Sequence, residues 1–349
     1  LFESTEDVGD EYDYSYSLNS ETFTTASAAA RIALIEAGPV RATFRIELDF
    51  VLPVGVETDR MRRSAERVAC PITTYVTLDA GSRRVDFRTV VDNRAKDHRL
   101  RALFPTELEA PHSDAEAQFC VVDRPLDAES QPGWSQQPVP TQVQHSFVDA
   151  HDAEVGLTVI NQGLPEYEVR RDAEGATICL TLLRSVGWLS RADYPTRPYN
   201  AGPEVPAPEA QCQGVHEFRY AALPHGGTWM SARAWMQAHS HNAPPRVVVT
   251  TQHEGDHPGE FGFFAIDNPD IALSAVKKSE REDALIVRVY NTTSDPVKGK
   301  LTLGHPMRSW RPVNFNEEPL QGRSRRRSAA SGVRLSLRPF EVATVALYP

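Results

Sequence analysis

The sequence predicts a mainly β protein in which antiparallel sheets pack as sandwiches, a large one followed by a smaller one. Two observations carry this prediction. Segments of seven to ten residues alternate between apolar and polar side chains, which is the period of a half-buried strand. Clusters of Gly, Pro, Asn and Asp separate these segments, as turns separate the strands of antiparallel sheets.

The strands predicted in the first part of the chain rest on this alternation. In "FRIELDF" (44–50), Phe44, Ile46 and Leu48 face one way, whereas Arg45 and Glu47 face the other. Segments of the same kind predict further strands at 72–79, 83–92, 154–160, 176–185 and 214–223.

Helical periodicity is rare in this sequence. The best candidate is the segment 227–241, where Trp229, Ala232, Trp235 and Met236 fall on roughly one helical face. Helices are therefore expected to be minor elements of the fold.

A change of composition near residue 245 predicts a domain boundary. We expect a large β domain at 1–245 and a connection rich in Pro, Gly and acidic residues at 246–262. Short strands at regular spacing then predict a small sandwich at 263–349, with the size of an immunoglobulin-like module. The basic segment "RSRRRS" (323–328) inside it is interpreted as an exposed loop, because it stands alone in an acidic chain.

Charge and hydropathy argue against nucleic-acid binding, binding to anionic lipid and a membrane-spanning helix. The formal net charge of −10 argues against general affinity for nucleic acid or anionic lipid, since both need a surplus of Lys and Arg on the contacting face. No segment reaches the roughly 18 apolar residues that a membrane-spanning helix needs. A neutral ligand fits this composition better.

Cysteine usage predicts a reducing compartment. The four Cys residues lie far apart, with no CxxC pair and no His at metal-ligand spacing, so they indicate neither a zinc site nor a disulfide framework. We interpret them as buried free thiols of a cytoplasmic protein. The first residue is Leu1 and not Met, so we expect the chain to be processed or cut from a longer protein.

Two residue patterns could indicate catalysis, and each has a simpler structural interpretation. His151 and Asp152 resemble a metal-ligand pair, but their place before an alternating segment favours the polar turn of a hairpin. Glu166 and Glu168 share one face of a predicted strand, yet two carboxylates on one strand cannot flank a glycosidic bond from both sides. Motifs of serine hydrolases, nucleotide-binding loops and HExxH metalloproteases are absent from the sequence.

One long connection between strands is a candidate binding loop. After the strand that ends near Ser185, roughly thirty residues rich in Arg, Pro and aromatic side chains precede the next strand at Gly214, and such long connections are usually functional or disordered. Aromatic rings and Arg donors suit the apolar faces and hydroxyls of sugars. The alternative is a loop that packs against another domain.

Six motifs then identify a family resemblance. The opening "EDVGDEYDYSYSL" resembles the "GDEYDYSPP" segment that opens the β-rich region of bacterial glycoside hydrolase family 38 enzymes, which are zinc-dependent retaining α-mannosidases. Five further motifs are similar to that family and follow in its order: "VDNRAKDHRLRALFPT" (91–106), "NQGLPEYEV" (161–169), "LTLLRSVGWLSR" (180–191), "GVHEFRYAAL" (214–223) and "RPFEVATVAL" (338–347).

The resemblance implies that this chain is the C-terminal half of a longer enzyme. In the family, an N-terminal barrel-like domain carries the aspartate nucleophile and most zinc ligands, and a helical bundle with an "HDA" zinc ligand follows. Because His151 lies beyond the "GDEYDY" segment and among strands, the zinc role is not transferred to it, and no metal or catalytic residue is expected here. The fold implied is a galactose mutarotase-like supersandwich followed by smaller sandwiches.

The resemblance also implies three substrate-binding residues. In related eukaryotic enzymes a Tyr in the segment equivalent to "DEYDY" reaches the substrate, and this Tyr corresponds to Tyr12. An Arg in the long loop after the "LLR" strand does so as well, which corresponds to Arg197 or, second, Arg191. This loop reads "RADYPTRPYNAG" where eukaryotic members have "DDxRG".

The function expected is to frame the mannoside pocket of a zinc-dependent retaining α-mannosidase, together with the missing catalytic domain. This chain by itself is expected to be inactive, and a homo-oligomer is possible for the parent. The alternative is a stand-alone carbohydrate-binding module. A mutarotase-like epimerase is disfavoured, because His216 and Glu217 are adjacent on a strand and point to opposite faces.

Overall fold

The computed structural model describes residues 1–127, 133–134, 139–256, 258–321, 327–329 and 332–349. It is mainly β, and its strands pair antiparallel in several sheets, which confirms the predicted fold class. The chain divides into two compact units, one of residues 1–117 and 122–244 and one of residues 118–121 and 245–349.

Fifteen strands are described up to residue 226. In chain order they are β1 (Phe2–Glu6), β2 (Thr22–Thr24), β3 (Ala30–Ala37), β4 (Arg41–Pro53), β5 (Arg67–Asp79), β6 (Val85–Asn93), β7 (His98–Pro105), β8 (His112–Ala117), β9 (Cys120–Pro125), β10 (Gln142–Val143), β11 (Phe147–His151), β12 (Val155–Asn161), β13 (Glu166–Asp172), β14 (Gly175–Ser185) and β15 (Gly214–Gly226). A 3-10 helix spans Pro208–Gln211.

These strands form two sheets that enclose one core. The six-stranded sheet has the order β10-β13-β14-β7-β1-β2, and the nine-stranded sheet has the order β3-β4-β5-β6-β15-β12-β11-β8-β9. Side chains of both sheets meet in the same apolar cluster, for example Leu100 and Ile178 from the first and Ile72 and Val159 from the second. The large unit is therefore a sandwich.

The predicted strand at 44–50 is part of the longer β4. Its alternating face is real, but burial changes along it: Phe50 is 3% exposed, whereas Phe44 is 46% exposed. Phe44 lies opposite Leu34 of β3, the edge strand of the nine-stranded sheet. The alternation in the sequence predicts which side chains share a face of β4, but not which of them are covered.

The predicted helix at 227–241 is two helices, α1 (Trp229–Ala232) and α2 (Ala234–Asn242). Arg233 between them has a left-handed φ of 54°, which interrupts the helical period. As a result the buried positions of α2 are Ala234 and Ala238, and Met236 is 40% exposed. The prediction of one continuous apolar face was wrong for this reason. None of the described helices is long and apolar enough to span a membrane.

The second unit contains eight described strands in two sheets. They are β16 (Phe264–Ile266), β17 (Ile271–Lys278), β18 (Leu285–Asn291), β19 (Val297–Leu303), β20 (Ser309–Val313), β21 (Arg327–Ser328), β22 (Val333–Leu337) and β23 (Val342–Tyr348). The sheets have the orders β16-β19-β22 and β17-β18-β23-β20-β21. Val287, Leu301 and Leu347 from these sheets share one buried cluster.

The basic segment, the connection between the domains and the cysteines were also predicted from the sequence and can be compared with the structure. Of "RSRRRS", only Arg327 and Ser328 are described, as the exposed strand β21, and the rest lies outside the described residues. Between Asn242 and Phe264 the described residues contain no helix or strand. All four cysteines are free; two are buried, but Cys120 and Cys212 are only half-buried, which the prediction of four buried thiols missed.

Candidate functional site

Two loops that carry all three predicted site residues leave the six-stranded sheet at the same point. The strands β1 and β14 flank β7, and their last residues, Glu6 and Ser185, both pair with His98. The segment that follows β1, residues 7–17, is called here the N-terminal loop, and residues 186–213 are called the long loop. Antiparallel pairing to a shared neighbour therefore brings together two segments far apart in sequence.

Asp10 organises the N-terminal loop from its buried position. Its Oδ1 accepts hydrogen bonds of 3.0 Å from the backbone N–H groups of Tyr12 and Asp13, an arrangement typical of an Asp-initiated turn. Its Oδ2 accepts a bond of 2.8 Å from the N–H of Arg191 and a bond from the Arg197 guanidinium. Burial opposes ionisation of this carboxyl, but these backbone donors and Arg197 lower the pKa of Asp10 below its usual range.

A close backbone approach also shapes the N-terminal loop. A Cβ at Gly9 would overlap the carbonyl oxygen of Asp13, so only glycine fits there without moving the loop. The Gly9 N–H is bound by the Asp7 carboxylate at 3.0 Å, and Asp7 is in turn held by Arg184 at 2.7 Å. The loop is thus fixed by its own turn and by a residue of β14.

Arg197 of the long loop is buried, with 2% of its surface exposed. Its guanidinium forms ion pairs with Asp10 and Asp13, and its Nε donates a 2.9 Å hydrogen bond to the carbonyl of Tyr199. A further donation from Nη2 reaches the carbonyl of Arg191 at 3.3 Å. Every nitrogen of Arg197 therefore has a partner within the two loops.

Tyrosine rings surround the Arg197 guanidinium. Its carbon lies 5.2 Å from the ring centroid of Tyr194, 5.8 Å from that of Tyr12 and 5.9 Å from that of Tyr199. These distances are within the range of cation–π attraction. Desolvation raises the pKa of the buried Tyr194 above its usual range, so this phenol stays neutral.

Tyr12 differs from the residues that support it because it is 53% exposed. Its ring packs on the backbone of the long loop at Gly202, where an added Cβ would lie 2.9 Å from the Tyr12 hydroxyl oxygen. The N–H of Gly202 is held by Ser190 Oγ at 3.1 Å. An exposed aromatic side chain thus stands on a rigid base.

Arg191 lies on the surface of the long loop. Its guanidinium forms two hydrogen bonds with the Asp193 carboxylate, at 2.7 Å and 2.5 Å, and stacks 4.7 Å from the Trp188 ring centroid. The paired hydrogen bonds from Arg191 lower the pKa of Asp193 below its usual range, with a contribution from Arg60 at 2.9 Å.

A cavity of about 320 Å³ opens beside this ion-pair cluster. Its lining comes from three segments: Val8, Ser17 and Leu18 from the first, Asp59, Arg60 and Met61 from the second, and Ala192, Asp193, Tyr194 and Pro195 from the third. The cavity is thus walled by both loops and by the turn after β4.

The structure brings the three predicted residues to one place, but in different environments. Tyr12 is exposed, Arg191 is half-buried and Arg197 is enclosed. The sequence reasoning missed the partners Asp10, Asp13 and Arg60. The spacing of the two aspartates around Tyr12 was a usable signal for the turn, whereas the contact of Arg60 depends on tertiary folding.

The other candidate residues of the sequence are engaged in the fold. His151 ends β11 and Asp152 lies in the following turn, as the hairpin interpretation predicted. Glu166 contacts Thr181 at 2.7 Å, and Glu168 forms an ion pair with Arg101.

One group within the described residues has the composition of a metal site. Ligand atoms of Asp114, Asp149 and His151 lie within 4.8 Å of one another. Both oxygens of Asp149 are engaged within the fold, since Oδ1 is 2.7 Å from His151 Nδ1 and Oδ2 accepts from Thr158 at 2.5 Å and lies 2.7 Å from His225. Because Asp149 is hydrogen-bonded to His151, Thr158 and His225, this group is explained as a hydrogen-bond network between neighbouring strands, and with three ligand atoms it is one short of a structural zinc site.

Comparison with known proteins agrees with this architecture. Residues 1–200 match the model described as "Glycosyl hydrolases family 38 C-terminal domain", and residues 270–345 match "Glycosyl hydrolases family 38 C-terminal beta sandwich domain". The crystal structure of an α-mannosidase from Enterococcus faecalis V583 covers 100% of this chain with a TM-score of 0.82 and 32% identity. This chain covers 38% of that structure.

Two curated relatives show the same relation. A protein of Halalkalibacterium halodurans named "Putative mannosylglycerate hydrolase" is 28% identical over 99% of this chain and 38% of its own length. "Alpha-mannosidase G" of Dictyostelium discoideum is 24% identical over 89% of this chain and 25% of its own length. The chain thus spans less than half the length of these relatives. The first family model covers more than half of the chain. The chain therefore belongs to glycoside hydrolase family 38, as a C-terminal region of that family.

Proposed function

We propose that this chain forms one wall of the mannoside pocket in a longer α-mannosidase and contributes no reacting group of its own. The proposal is supported by family membership, by the printed names of the relatives and by the share of their length that the chain covers. The observation that carries it is an exposed Tyr12 held on loops fixed by buried ion pairs. Loops on a rigid sheet can complete a pocket formed mainly by another domain.

Tyr12 is the residue proposed to touch the sugar. Its ring offers an apolar face, and its hydroxyl group can donate or accept a hydrogen bond. Arg197 is proposed as a positioning residue, because its donors are used within the two loops and its surface is enclosed. Arg191 is proposed to line the rim of the same surface, where it has some solvent exposure.

The reaction proposed for the longer protein is retaining hydrolysis of α-mannosides. A carboxylate attacks the anomeric carbon, and a second carboxylate acts as acid and then as base. Zinc, when bound, would orient the sugar and polarise its oxygen atoms. The Asp114, Asp149 and His151 group is given no zinc role, because Asp149 is hydrogen-bonded to His151, Thr158 and His225 within the fold, and the zinc ligands are proposed to lie in the rest of the longer protein. The free cysteines support a cytoplasmic, reducing location.

Substitution of Tyr12 in the longer protein tests the substrate contact. Tyr12→Phe should lower kcat/KM on an aryl α-mannoside about tenfold, as expected for one lost hydrogen bond, and Tyr12→Ala should lower it further. Tyr16→Phe is a matched control on the same loop, since Tyr16 is 48% exposed and is given no role in the pocket. Equal kcat/KM for Tyr12→Ala and the unaltered enzyme would contradict the contact.

The 349-residue chain alone distinguishes this function from its alternatives. It should show no turnover of an aryl α-mannoside with added zinc, and hydrolysis above the buffer rate would refute the pocket-wall role. Isothermal titration calorimetry with mannose and mannobiose should detect no binding, because half a pocket lacks most sugar contacts. Measurable binding would instead support a stand-alone carbohydrate-binding module.

A further inference from the structure

The strand β3 is an uncovered edge of the nine-stranded sheet. It is the terminal strand in the sheet order, pairs only with β4 among the described residues, and all eight of its residues are exposed. A long edge strand presents a row of unpaired N–H and C=O groups, which is a template for pairing with another strand. Proteins usually blunt such an edge with charge, Pro or a bulge; β3 has no Pro, and its two charged residues, Arg31 and Glu36, both lie on one face and leave the other face apolar.

One face of this edge is apolar. Ile32 and Leu34 of β3 lie opposite Ile46 and Phe44 of β4, and Leu78 of β5 continues the same face beside Ala42. Ile32 is 65% exposed, Leu34 53%, Leu78 49% and Phe44 46%. Contiguous exposed apolar side chains on a sheet mark an interaction surface more often than a solvated face.

The sequence of β3 is complementary to itself when read in the opposite direction. The strand has a bulge, because Leu34 lies opposite Phe44 and Glu36 lies opposite Thr43, so Ile35 is an extra residue. With Ile35 set aside, the strand reads Ala, Arg, Ile, Ala, Leu, Glu, Ala. The centre of this seven-residue series is Ala33. On either side of it, apolar Ile32 corresponds to apolar Leu34, and basic Arg31 corresponds to acidic Glu36.

We propose that β3 is a docking surface for a second copy of this chain, with the two β3 strands paired antiparallel about a two-fold axis at Ala33. In that register Ile32 of each copy lies opposite Leu34 of the other, and the two apolar faces join on the same side of the sheet. An isologous contact of this kind closes on itself as a dimer.

Charge also selects this pairing. Arg31 and Glu36 point to the polar face of β3, where Arg31 lies 3.8 Å from Glu47 and Glu36 accepts a hydrogen bond from Thr43. In the antiparallel register Arg31 of one copy lies opposite Glu36 of the other, twice per dimer. A parallel pairing would place Arg31 opposite Arg31, and like charges directly opposite destabilise a strand pair.

Sedimentation velocity of the 349-residue chain tests the proposal. At about 50 µM the chain should sediment as a dimer, twice its mass of 38.8 kDa, since a specific interface of ordinary size is saturated there. A monomer at this concentration would overturn the proposal. Leu34→Lys should give a monomer, whereas Val143→Lys, a matched exposed site on the edge strand β10, should leave the dimer intact.

Charge exchange tests the register independently of the apolar contact. Arg31→Glu and Glu36→Arg should each raise the dimer dissociation constant about tenfold, because each single change places like charges opposite each other. The double variant should return it to within about threefold of the original value. Far-ultraviolet circular dichroism confirms that each variant is folded. A dimer that survives Leu34→Lys, or a double variant as weak as the singles, would overturn the proposed pairing.

Discussion

At the scale of single residues, Arg197 shows how a buried charge is accommodated in this protein. Its cost of desolvation is offset by two carboxylates, Asp10 and Asp13, and by backbone carbonyls. Removing one member of such a group leaves the others buried and unpaired, which costs more than the net contribution of the intact group. The Arg191 and Asp193 pair is more exposed, so water can replace it.

This contrast predicts different stabilities for two matched variants. Arg197→Met should lower the free energy of unfolding by about 3–5 kcal/mol, because Asp10 and Asp13 lose their buried partner. Arg191→Met should lower it by less than about 1 kcal/mol, as is usual for exposed pairs. Urea unfolding followed by tryptophan fluorescence measures both. Equal losses for the two variants would contradict a structural role specific to Arg197.

At the scale of elements, the helix α2 is attached to the nine-stranded sheet by polar contacts as well as by Ala238. His239 Nε2 lies 2.8 Å from Glu116 of β8, and His241 Nδ1 lies 2.9 Å from Asp86 of β6. Glu116 is nearly inaccessible and also accepts a hydrogen bond from the Ser146 N–H at 3.1 Å. The attachment therefore depends on carboxylates that remain ionised.

Acid should weaken this attachment. Burial opposes the shift, but hydrogen bonds from His239 and Ser146 lower the pKa of Glu116 below its ordinary value of 4.5. Because the pKa is lower in the folded state, the stabilisation is complete above that value and is lost as the pH falls through the folded-state pKa. The free energy of unfolding should therefore fall more steeply below pH 4.5 in the unaltered chain than in Glu116→Gln.

Urea unfolding at several pH values measures this difference. Glu209→Gln is the matched control, since Glu209 is exposed on the 3-10 helix, and it should keep the slope of the unaltered chain. A Glu116→Gln slope equal to that of the unaltered chain would show that Glu116 does not couple folding to protonation.

At the scale of the whole molecule, two compact units have separate apolar cores. The larger core joins the sheets of the first unit, and the smaller one lies between the two sheets of the second. The described residues between Asn242 and Phe264 lack helices and strands, and Val247, Val248 and Val249 are 83–93% exposed. Exposed backbone without sheet or helix hydrogen bonds is the preferred substrate of proteases.

Limited proteolysis should therefore begin in this connection. Thermolysin, which cleaves before apolar residues, should cut first at Val247–Val249 and release a product that ends near residue 246. Replacing these three valines by Ser should slow that cut. Buried valines such as Val287, Val289 and Val345 are not suitable control positions, because their replacement would disturb the core of the second unit. Val215→Ser, at a 72% exposed strand position, is the matched control and should leave the rate unchanged. A first cut inside either core would contradict the two-unit description.

The sequence by itself determined the class of fold and the family. Alternation in segments such as 44–50 specifies strands because side chains of a strand point to opposite faces, and this local rule needs no knowledge of neighbours. It failed at 227–241, where one left-handed residue, Arg233, broke a helix whose periodicity looked continuous.

Only the tertiary structure decided the character of the candidate site. The sequence placed Tyr12, Arg191 and Arg197 on two loops, but their exposure follows from the pairing of β1 and β14 with β7, which joins segments about 180 residues apart. Arg197 is enclosed and forms ion pairs with Asp10 and Asp13, so it holds the two loops together. Tyr12, on the same loop as these aspartates, is exposed to solvent. Burial and long-range ion pairs depend on which strands become neighbours, and no local pattern of residues specifies that.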